Sequence, residues 1–267
     1  MKKLNIPIAL AALALLTGFL SCKRDMALRD PGVPASANSS YISFIDVAVN
    51  LNTVLGAKAD TFNILLNGAK STGFTAGTSP VMTMGGIYPL NGTANGYAIV
   101  PSGDQAIKFA RGVNTLDSLV LYSFNETLQP NTYYTLLVTD SIKSSNDAQR
   151  MFLKDNITAT DSNSYNLRFI NTVLNDTAGV DIYSARQAKT IFANVKPGTV
   201  VDFAKFTASF VSDTLTCRRA GTLVSLDVLL TTSLIGYRSY TLVYQGDYKN
   251  ATAKDPKRHH LVSYLNR

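Results

Sequence analysis

The sequence has no tryptophan and holds only two cysteines, two histidines and one glutamate in 267 residues. His259 and His260 are adjacent, and successive residues of a strand point to opposite faces, so the two do not readily share one task. A Ser-His-Asp triad needs a histidine held beside a serine, and zinc needs three or four spaced ligands. No Gly-x-Ser-x-Gly turn occurs, and Ala69-Lys70-Ser71 lacks the glycine of a phosphate-binding loop. The sequence therefore predicts neither a metal nor a cofactor.

The acidic residues are almost all aspartate, because Glu126 is the single glutamate. Asp and Asn favour turns whereas Glu favours helices, so this bias predicts an all-β chain with many turns. The aspartates leave an aspartate-based glycoside hydrolase as a remote alternative, since that chemistry requires two suitably spaced carboxyl groups. The leading prediction is that the protein is not an enzyme.

The longest apolar run lies at the start of the chain, from Ile6 to Leu20, after the basic pair Lys2 and Lys3. This run is shorter than the roughly 20 apolar residues that span a bilayer. A positive segment, an apolar segment and then small residues are typical of a cleavable secretion signal. We therefore predict a signal peptide over residues 1–21.

A cysteine follows directly after this segment. Phe19-Leu20-Ser21-Cys22 resembles a bacterial lipobox, with Phe19 where leucine is usual. We expect Cys22 to take the lipid, and residues 22–40, rich in Pro, Gly, Ala and Ser, to form a flexible tether. The alternative is an ordinary signal peptide next to a chance cysteine. The lipid-anchored interpretation predicts an outer-membrane location, with the periplasmic face and the cell surface both open.

Positive charge exceeds negative charge, and the formal net charge is +7. Nucleic acid or an anionic membrane surface attracts such a chain. The basic residues are scattered, apart from the cluster 257–260, which favours simple solvation of the surface. The predicted secretion signal also argues against nucleic acid as a partner, because the exported protein is separated from it.

The second cysteine, Cys217, has no intramolecular partner if Cys22 is lipidated, so no disulfide framework is expected. Two interpretations of Cys217 stay open. One is a half-buried thiol on a strand. The other is a thiolate activated by the neighbouring Arg218 and Arg219.

From residue 41 onward, short β-type runs alternate with turn residues. A set of landmarks recurs: Phe44-Ile45-Asp46 aligns with Phe169-Ile170-Asn171, and Tyr134-Thr135-Leu136 with Tyr240-Thr241-Leu242. Pro101-Ser102-Gly103 also matches Pro197-Gly198, and Arg150-Met151-Phe152-Leu153 matches His260-Leu261-Val262-Ser263. We therefore predict two tandem immunoglobulin-like antiparallel β-sandwich domains, over residues 41–156 and 165–267, joined by a linker over 157–164.

Asp46 and Asn171 share one position in the two copies. A short polar side chain there is expected to bond backbone groups at a strand end. The alternative is a ligand role for the pair.

The second copy carries a resemblance. Leu167-Arg168-Phe169-Ile170-Asn171, then Asn175-Asp176, then Val180-Asp181-Ile182-Tyr183 resembles the opening motif of an uncharacterised bacterial family, the domain of unknown function 4397. The first copy is similar but has Ser43 in place of the arginine. The resemblance implies a lipoprotein of Bacteroidetes-type bacteria with tandem β-sandwich repeats, and it implies no activity.

These observations predict a non-catalytic cell-envelope lipoprotein that binds a glycan or an envelope protein, held to the membrane by the lipid on Cys22. The alternative is a structural or adhesion spacer at the outer-membrane surface. The absence of tryptophan argues mildly against a sugar-stacking platform. The Gly/Thr/Ser-rich stretch 71–96, with Met82, Met84 and Tyr88, is the longest candidate binding loop.

The pattern Asp-Ser/Thr followed by a small or apolar residue resembles the O-glycosylation acceptor of Bacteroidetes-type bacteria. It occurs at Asp117-Ser118, Asp140-Ser141, Asp176-Thr177 and Asp213-Thr214.

Overall fold

The computed structural model describes residues 37–49, 63–70, 84–89, 96–110, 120–139, 150–231, 234–250, 252, 255 and 257–266. The predicted signal peptide, Cys22 and most of the predicted tether lie outside these residues. The chain from Val33 to Arg267 forms one compact unit. In its described part every regular element is a strand, which confirms the prediction of an all-β chain. None of the described residues forms a helix long and apolar enough to cross a membrane.

The strands of the first half share a short length and frequent turns. They are β1 (Ser39–Asp46), β2 (Asn63–Leu66), β3 (Ala69–Lys70), β4 (Ile87–Tyr88), β5 (Ala98–Pro101), β6 (Gly103–Ala110), β7 (Val120–Leu128), β8 (Tyr133–Val138) and β9 (Arg150–Lys154). The second half contains β10 (Ser164–Asn171), β11 (Val180–Ser184), β12 (Lys189–Val195), β13 (Val200–Thr207), β14 (Asp213–Arg219), β15 (Ser225–Thr231), β16 (Ser239–Gln245) and β17 (His260–Leu265).

Each half is a sandwich of two sheets, and the same strand order recurs in both. The first half pairs β4-β1-β8-β9, with β5 also on β1, and β3-β2-β6-β7. The second half pairs β13-β10-β16-β17 and β12-β11-β14-β15. This repetition confirms two tandem immunoglobulin-like sandwiches. One pairing in each half is parallel rather than antiparallel, β1 with β8 and β10 with β16.

The register tests the repeat landmarks one by one. Phe44 lies opposite Leu136, and Phe169 lies opposite Leu242, which confirms the alignment of Phe44 with Phe169 and that of Leu136 with Leu242. The match between Pro101 and Pro197 is wrong, because Pro101 leads into β6 and Pro197 into β13, which occupy different sheet positions. The match of 150–153 with 260–263 is displaced by one residue. That match aligned Met151 with Leu261. In the structure Met151 pairs with Leu137, whereas Val262 pairs with Val243, the residue equivalent to Leu137.

The two sandwiches share a core. Side chains that alternate along β1 point to two different cores, with Phe44 in the first sandwich and Ile45 between the sandwiches. Similarly, Phe169 lies in the core of the second sandwich, whereas Ile170 packs between the two inner sheets. Both β1 and β10 are buried along their whole length. The predicted tandem domains therefore stack sheet against sheet in four layers.

A buried polar network lies between the two inner sheets. Arg168 forms an ion pair with Asp155, and its Nη2 donates to Thr135 Oγ1 at 2.6 Å. Its Nε donates to Thr241 Oγ1 at 2.7 Å. Tyr97 donates its hydroxyl to Asp155 Oδ2 at 2.6 Å, and burial together with this carboxylate raises the pKa of Tyr97 well above its usual value. Arg168 thus ties the second sandwich to the first.

The contacts between the inner sheets also fix the relative direction of β1 and β10. Asn266 bonds Ser239, the β16 partner of Asn166 near the start of β10, and its side chain donates to Tyr97, which lies beside the middle of β1. Tyr264, nearer the end of β10, bonds the carbonyl of Gly85, which lies beside the end of β1. The two strands therefore run in the same general direction. We call the end of the layers where β1 and β10 begin the entry end, and the opposite end the far end.

Candidate functional site

The outer surface of the sheet β12-β11-β14-β15 exposes aliphatic side chains on an edge strand. Strand alternation points Leu215 and Cys217 of β14 inward and Thr214, Thr216 and Arg218 outward. The outward side chains of the three strands β11, β14 and β15 form what we call the outer face: Asp181, Tyr183, Thr214, Thr216, Arg218, Val228 and Leu230.

The edge strand of this sheet exposes aliphatic side chains. Val228 is 55% exposed and Leu230 is 64% exposed, while Leu229 between them packs against the core. The β14–β15 turn at the far end adds Leu223, which is 85% exposed, and Val224. Exposed apolar residues that follow one another along an edge mark an interaction surface more often than isolated ones do.

The middle of the outer face carries a cation stacked on an aromatic ring. The guanidinium carbon of Arg218 lies 3.7 Å from the centroid of the Tyr183 ring. Asp181, opposite Arg218 in the ladder, accepts hydrogen bonds from the backbone N–H groups of Asn194 at 2.7 Å and Gly221 at 2.9 Å. These bonds fix the turns on either side, so the face is held in a defined geometry.

The outer face presents exposed aliphatic side chains and the positive charge of Arg218 rather than chemically reactive groups. The tyrosine ring is covered by Arg218, and the exposed aliphatic side chains carry no polar atoms. Among the described residues, no group of three or more His, Cys, Asp or Glu side chains is placed to hold a metal ion. The arrangement therefore suits recognition of another surface.

The predicted site residues lie elsewhere. Cys22 is outside the described residues. Cys217 is fully buried, and desolvation raises the pKa of its thiol far above the usual value. Arg218 stacks on Tyr183 and Arg219 bonds Asp176 at 2.7 Å, so neither arginine activates the thiol. The interpretation as a strand thiol is confirmed, although the side chain is fully buried rather than half-buried, and the activated thiolate is wrong.

This burial predicts the reactivity of Cys217. We expect the native protein to resist a thiol reagent until it unfolds, because the thiolate is the reacting form and the side chain has no access to solvent. Labelling should follow the unfolding curve in urea. Rapid labelling of native protein at neutral pH, confined to Cys217 by peptide mapping, would contradict this assignment.

The two histidines make different contacts. His260 places Nδ1 2.7 Å from the Arg258 carbonyl and Nε2 3.2 Å from Gln245. His259 packs against the rings of Tyr244 and Tyr248. They do not form a joint site, in agreement with the prediction from their adjacency.

Asp46 and Asn171 act as predicted at the ends of equivalent strands. Asp46 Oδ1 accepts from the N–H of Ala48 at 3.0 Å, and Asn171 Oδ1 accepts from the N–H of Val173 at 3.2 Å. Both side chains are buried, which favours this structural role over a ligand role.

The candidate loop 71–96 is described only at residues 84–89 and at Gly96; Met82 lies outside the described residues. Tyr88 packs against the first core and lines an open cavity of about 400 Å³ next to Asn67 and Gln105. The amide groups of Asn67 and Gln105 bond each other at 2.9 Å. The cavity therefore has apolar walls and an amide pair that is already engaged.

The acceptor-like Asp-Ser/Thr pairs differ in exposure. Asp117-Ser118 and Asp140-Ser141 lie outside the described residues. Thr177 is exposed, although Asp176 before it is buried against Arg219, and Thr214 is half-buried in the middle of a sheet. Thr177 is the more accessible acceptor of the two.

Sequence reasoning did not identify Val228 and Leu230 as surface residues. Apolar residues occupy both odd and even positions in the run 226–230, Leu-Asp-Val-Leu-Leu. The alternation of polar and apolar residues that distinguishes the two faces of a strand is therefore obscured. The available signal was a near-continuous apolar run in a strand that lies at a sheet edge.

No protein-family model matches the chain, and no curated protein matches it significantly. Among solved structures, the Bacillus anthracis TIE protein aligns with 78% of this chain at 14% identity and a TM-score of 0.20. The chain covers 34% of that protein, about a third of its length. A Bacteroides ovatus protein described as a candidate cell adhesion protein aligns with 86% of this chain and 98% of its own, at 8% identity and a TM-score of 0.22. Neither likeness assigns a function to this chain.

Proposed function

We propose that this chain is a lipid-anchored, non-catalytic protein of the cell envelope that binds another envelope protein through its outer face. The observation that carries the proposal is the row of exposed aliphatic side chains, Val228 and Leu230, on an ordered edge strand. Lipidation of Cys22 and an outer-membrane location rest on the N-terminal sequence.

The chemistry of the outer face favours a protein over a glycan. Sugar sites stack rings on exposed aromatic faces, whereas the Tyr183 ring is covered by Arg218. Arginine and aromatic side chains are enriched in protein interfaces, and exposed aliphatic side chains add apolar area that a partner can bury. The stacking of the sandwiches sheet against sheet, instead of end to end, also favours a binding module over an extended spacer.

Three of the buried carboxylates support a non-catalytic role. Asp155 pairs with Arg168, Asp176 with Arg219 at 2.7 Å, and Asp213 lies 3.9 Å from the Arg186 Nε. Each of these aspartates has a positively charged neighbour that holds it in a structural role, unlike the two open carboxyl groups of a glycosidase.

Photo-cross-linking in the native envelope tests the proposal. A photoreactive amino acid at Thr216, next to Val228 on the outer face, should repeatedly capture one envelope protein. The double variant Val228→Ser, Leu230→Ser should lower that yield by about tenfold or more, because two aliphatic contacts are lost.

The matched control is Ile99→Ser, which removes an exposed aliphatic side chain from the first sandwich. We expect this variant to leave the yield unchanged. An equal loss from the control, or no loss from the double variant, would contradict the proposal. Retention on one immobilised polysaccharide that Tyr183→Ala abolishes would instead support the glycan alternative.

A further inference from the structure

A second exposed apolar feature lies in the turn between β13 and β14. Phe210 is 92% exposed and Val211 is 69% exposed. The turn is held in place, because the N–H of Ala208 donates to the Asn163 carbonyl at 2.8 Å and that of Val211 to Ser209 Oγ at 3.0 Å. Ala208 packs against the core, so the tip projects from a fixed base.

The tip lies at the entry end of the layers. Asn163 directly precedes β10, and Thr207, the last residue of β13, pairs with Ser164. The chain that follows the predicted lipidation site enters the described structure at Ala37, two residues before β1 begins. Because β1 and β10 run in the same general direction, Ala37, where the described structure begins, and the Phe210 tip lie at the same end.

The chemistry around the tip matches a membrane interface. Tyr237 lies in the neighbouring turn, where its N–H donates to the Asp161 carbonyl at 2.9 Å, and Arg238 follows it. Lys189, exposed, begins β12 after the turn at the same end. An aromatic and an aliphatic side chain with aromatic and basic neighbours are the composition that favours the bilayer interface.

The size of the tip argues against a protein partner there. A stable protein interface buries about 800 Å² on each side. Two side chains at the end of one turn are far too small for that area. They are sufficient as a second contact beside a lipid, since stable anchoring generally combines two weak signals.

We infer that the Phe210–Val211 tip inserts into the bilayer surface that holds the lipid anchor. This inference rests on the proposed lipid anchoring. It orients the protein, because the entry end then faces the bilayer and the far end, with Leu223 and Val224, faces away from it. The outer face stands between these ends, accessible to a protein in the same compartment.

The absence of tryptophan provides a direct test. Phe210→Trp introduces the sole tryptophan of the chain, at a position exposed enough that folding is unaffected. The native mature protein is isolated in lipidated form, its intact mass is measured, and it is reconstituted into vesicles of phosphatidylethanolamine and phosphatidylglycerol. We expect blue-shifted emission and strong quenching by brominated lipid, at a depth of about 5–10 Å below the headgroup boundary.

The matched control is Leu223→Trp, which places the same probe on an equally exposed turn at the far end. Its emission should remain that of tryptophan in water, without bromine quenching. Lipidated protein whose Phe210→Trp emission equals that of the control overturns the inference and leaves the anchoring intact. An intact mass without acyl chains overturns the anchoring, and the inference with it.

Discussion

Replacing Arg168 with methionine should destabilise the protein by about 3–5 kcal/mol, because a buried aspartate is left without its counter-charge. Arg168 is 1% exposed, and it bonds Asp155 and Thr135 of the first sandwich as well as Thr241 of its own. Its guanidinium also lies over the Phe203 ring, 4.6 Å from the centroid. The free energy of unfolding in urea, followed by circular dichroism, measures the loss.

The control for this variant is Arg218→Met. Arg218 also stacks on an aromatic ring, but it lies on the outer face and has solvent access. We expect a change within about 1 kcal/mol. Combining Arg168→Met with Asp155→Asn should recover part of the stability, because the second change removes the stranded charge. A loss at Arg168 no larger than that at Arg218 would show that the network contributes little.

The Arg168 variant should also alter cooperativity. In the native protein the polar network and the shared core couple the two sandwiches. If loss of Arg168 uncouples them, the unfolding curve should broaden or divide, with a lower slope against urea concentration. An unchanged slope together with a lower midpoint would indicate that the shared core alone maintains the coupling.

Ile170→Ala should cost about 2–5 kcal/mol, the range for removing a buried aliphatic side chain and leaving a cavity. Ile170 is fully buried between the inner sheets, in one cluster with Ile45 and Val243. Since this core belongs to both sandwiches, the variant should lower the stability of both. Circular dichroism reports the whole chain, and labelling of Cys217 reports the second sandwich.

Ile99→Ala is the matched control for Ile170→Ala, because it removes the same atoms from a side chain that is 41% exposed. We expect the control to change the free energy of unfolding by about 0.5 kcal/mol or less. Similar losses from the two variants would mean that the inner sheets do not form a tight common core.

The repeat in the sequence was a sound guide to architecture, but only where side chains are constrained on both faces. Phe44 and Phe169 align correctly because their strands are buried along their whole length. The side chains on both faces of each strand are therefore constrained. The match of Arg150 with His260 is displaced by one residue because β9 and β17 are sheet edges with mixed burial, where the pattern is weaker. The match between Pro101 and Pro197 joined turn residues that serve different strands, since Pro and Gly mark turns without identifying them.

The motif that resembled a known family divides by face. Arg168 and Ile170 lie between the sandwiches, and Phe169 lies in the second core. In the later part of the motif, Asp181 and Tyr183 point to the outer face. Ser43 occupies the position in the first copy that Arg168 occupies in the second, and Arg168 reaches across to Thr135, the residue paired with Ser43.

The sequence by itself determined the all-β class and the duplication, because turn chemistry and side-chain alternation are local properties of a strand. Only the tertiary structure decided that the two copies share a core, that Arg168 finds its counter-charge in the other copy, and that Val228 and Leu230 remain exposed. The physical reason is that these features depend on which sheet face meets another surface. That choice is made by contacts between residues far apart in the chain.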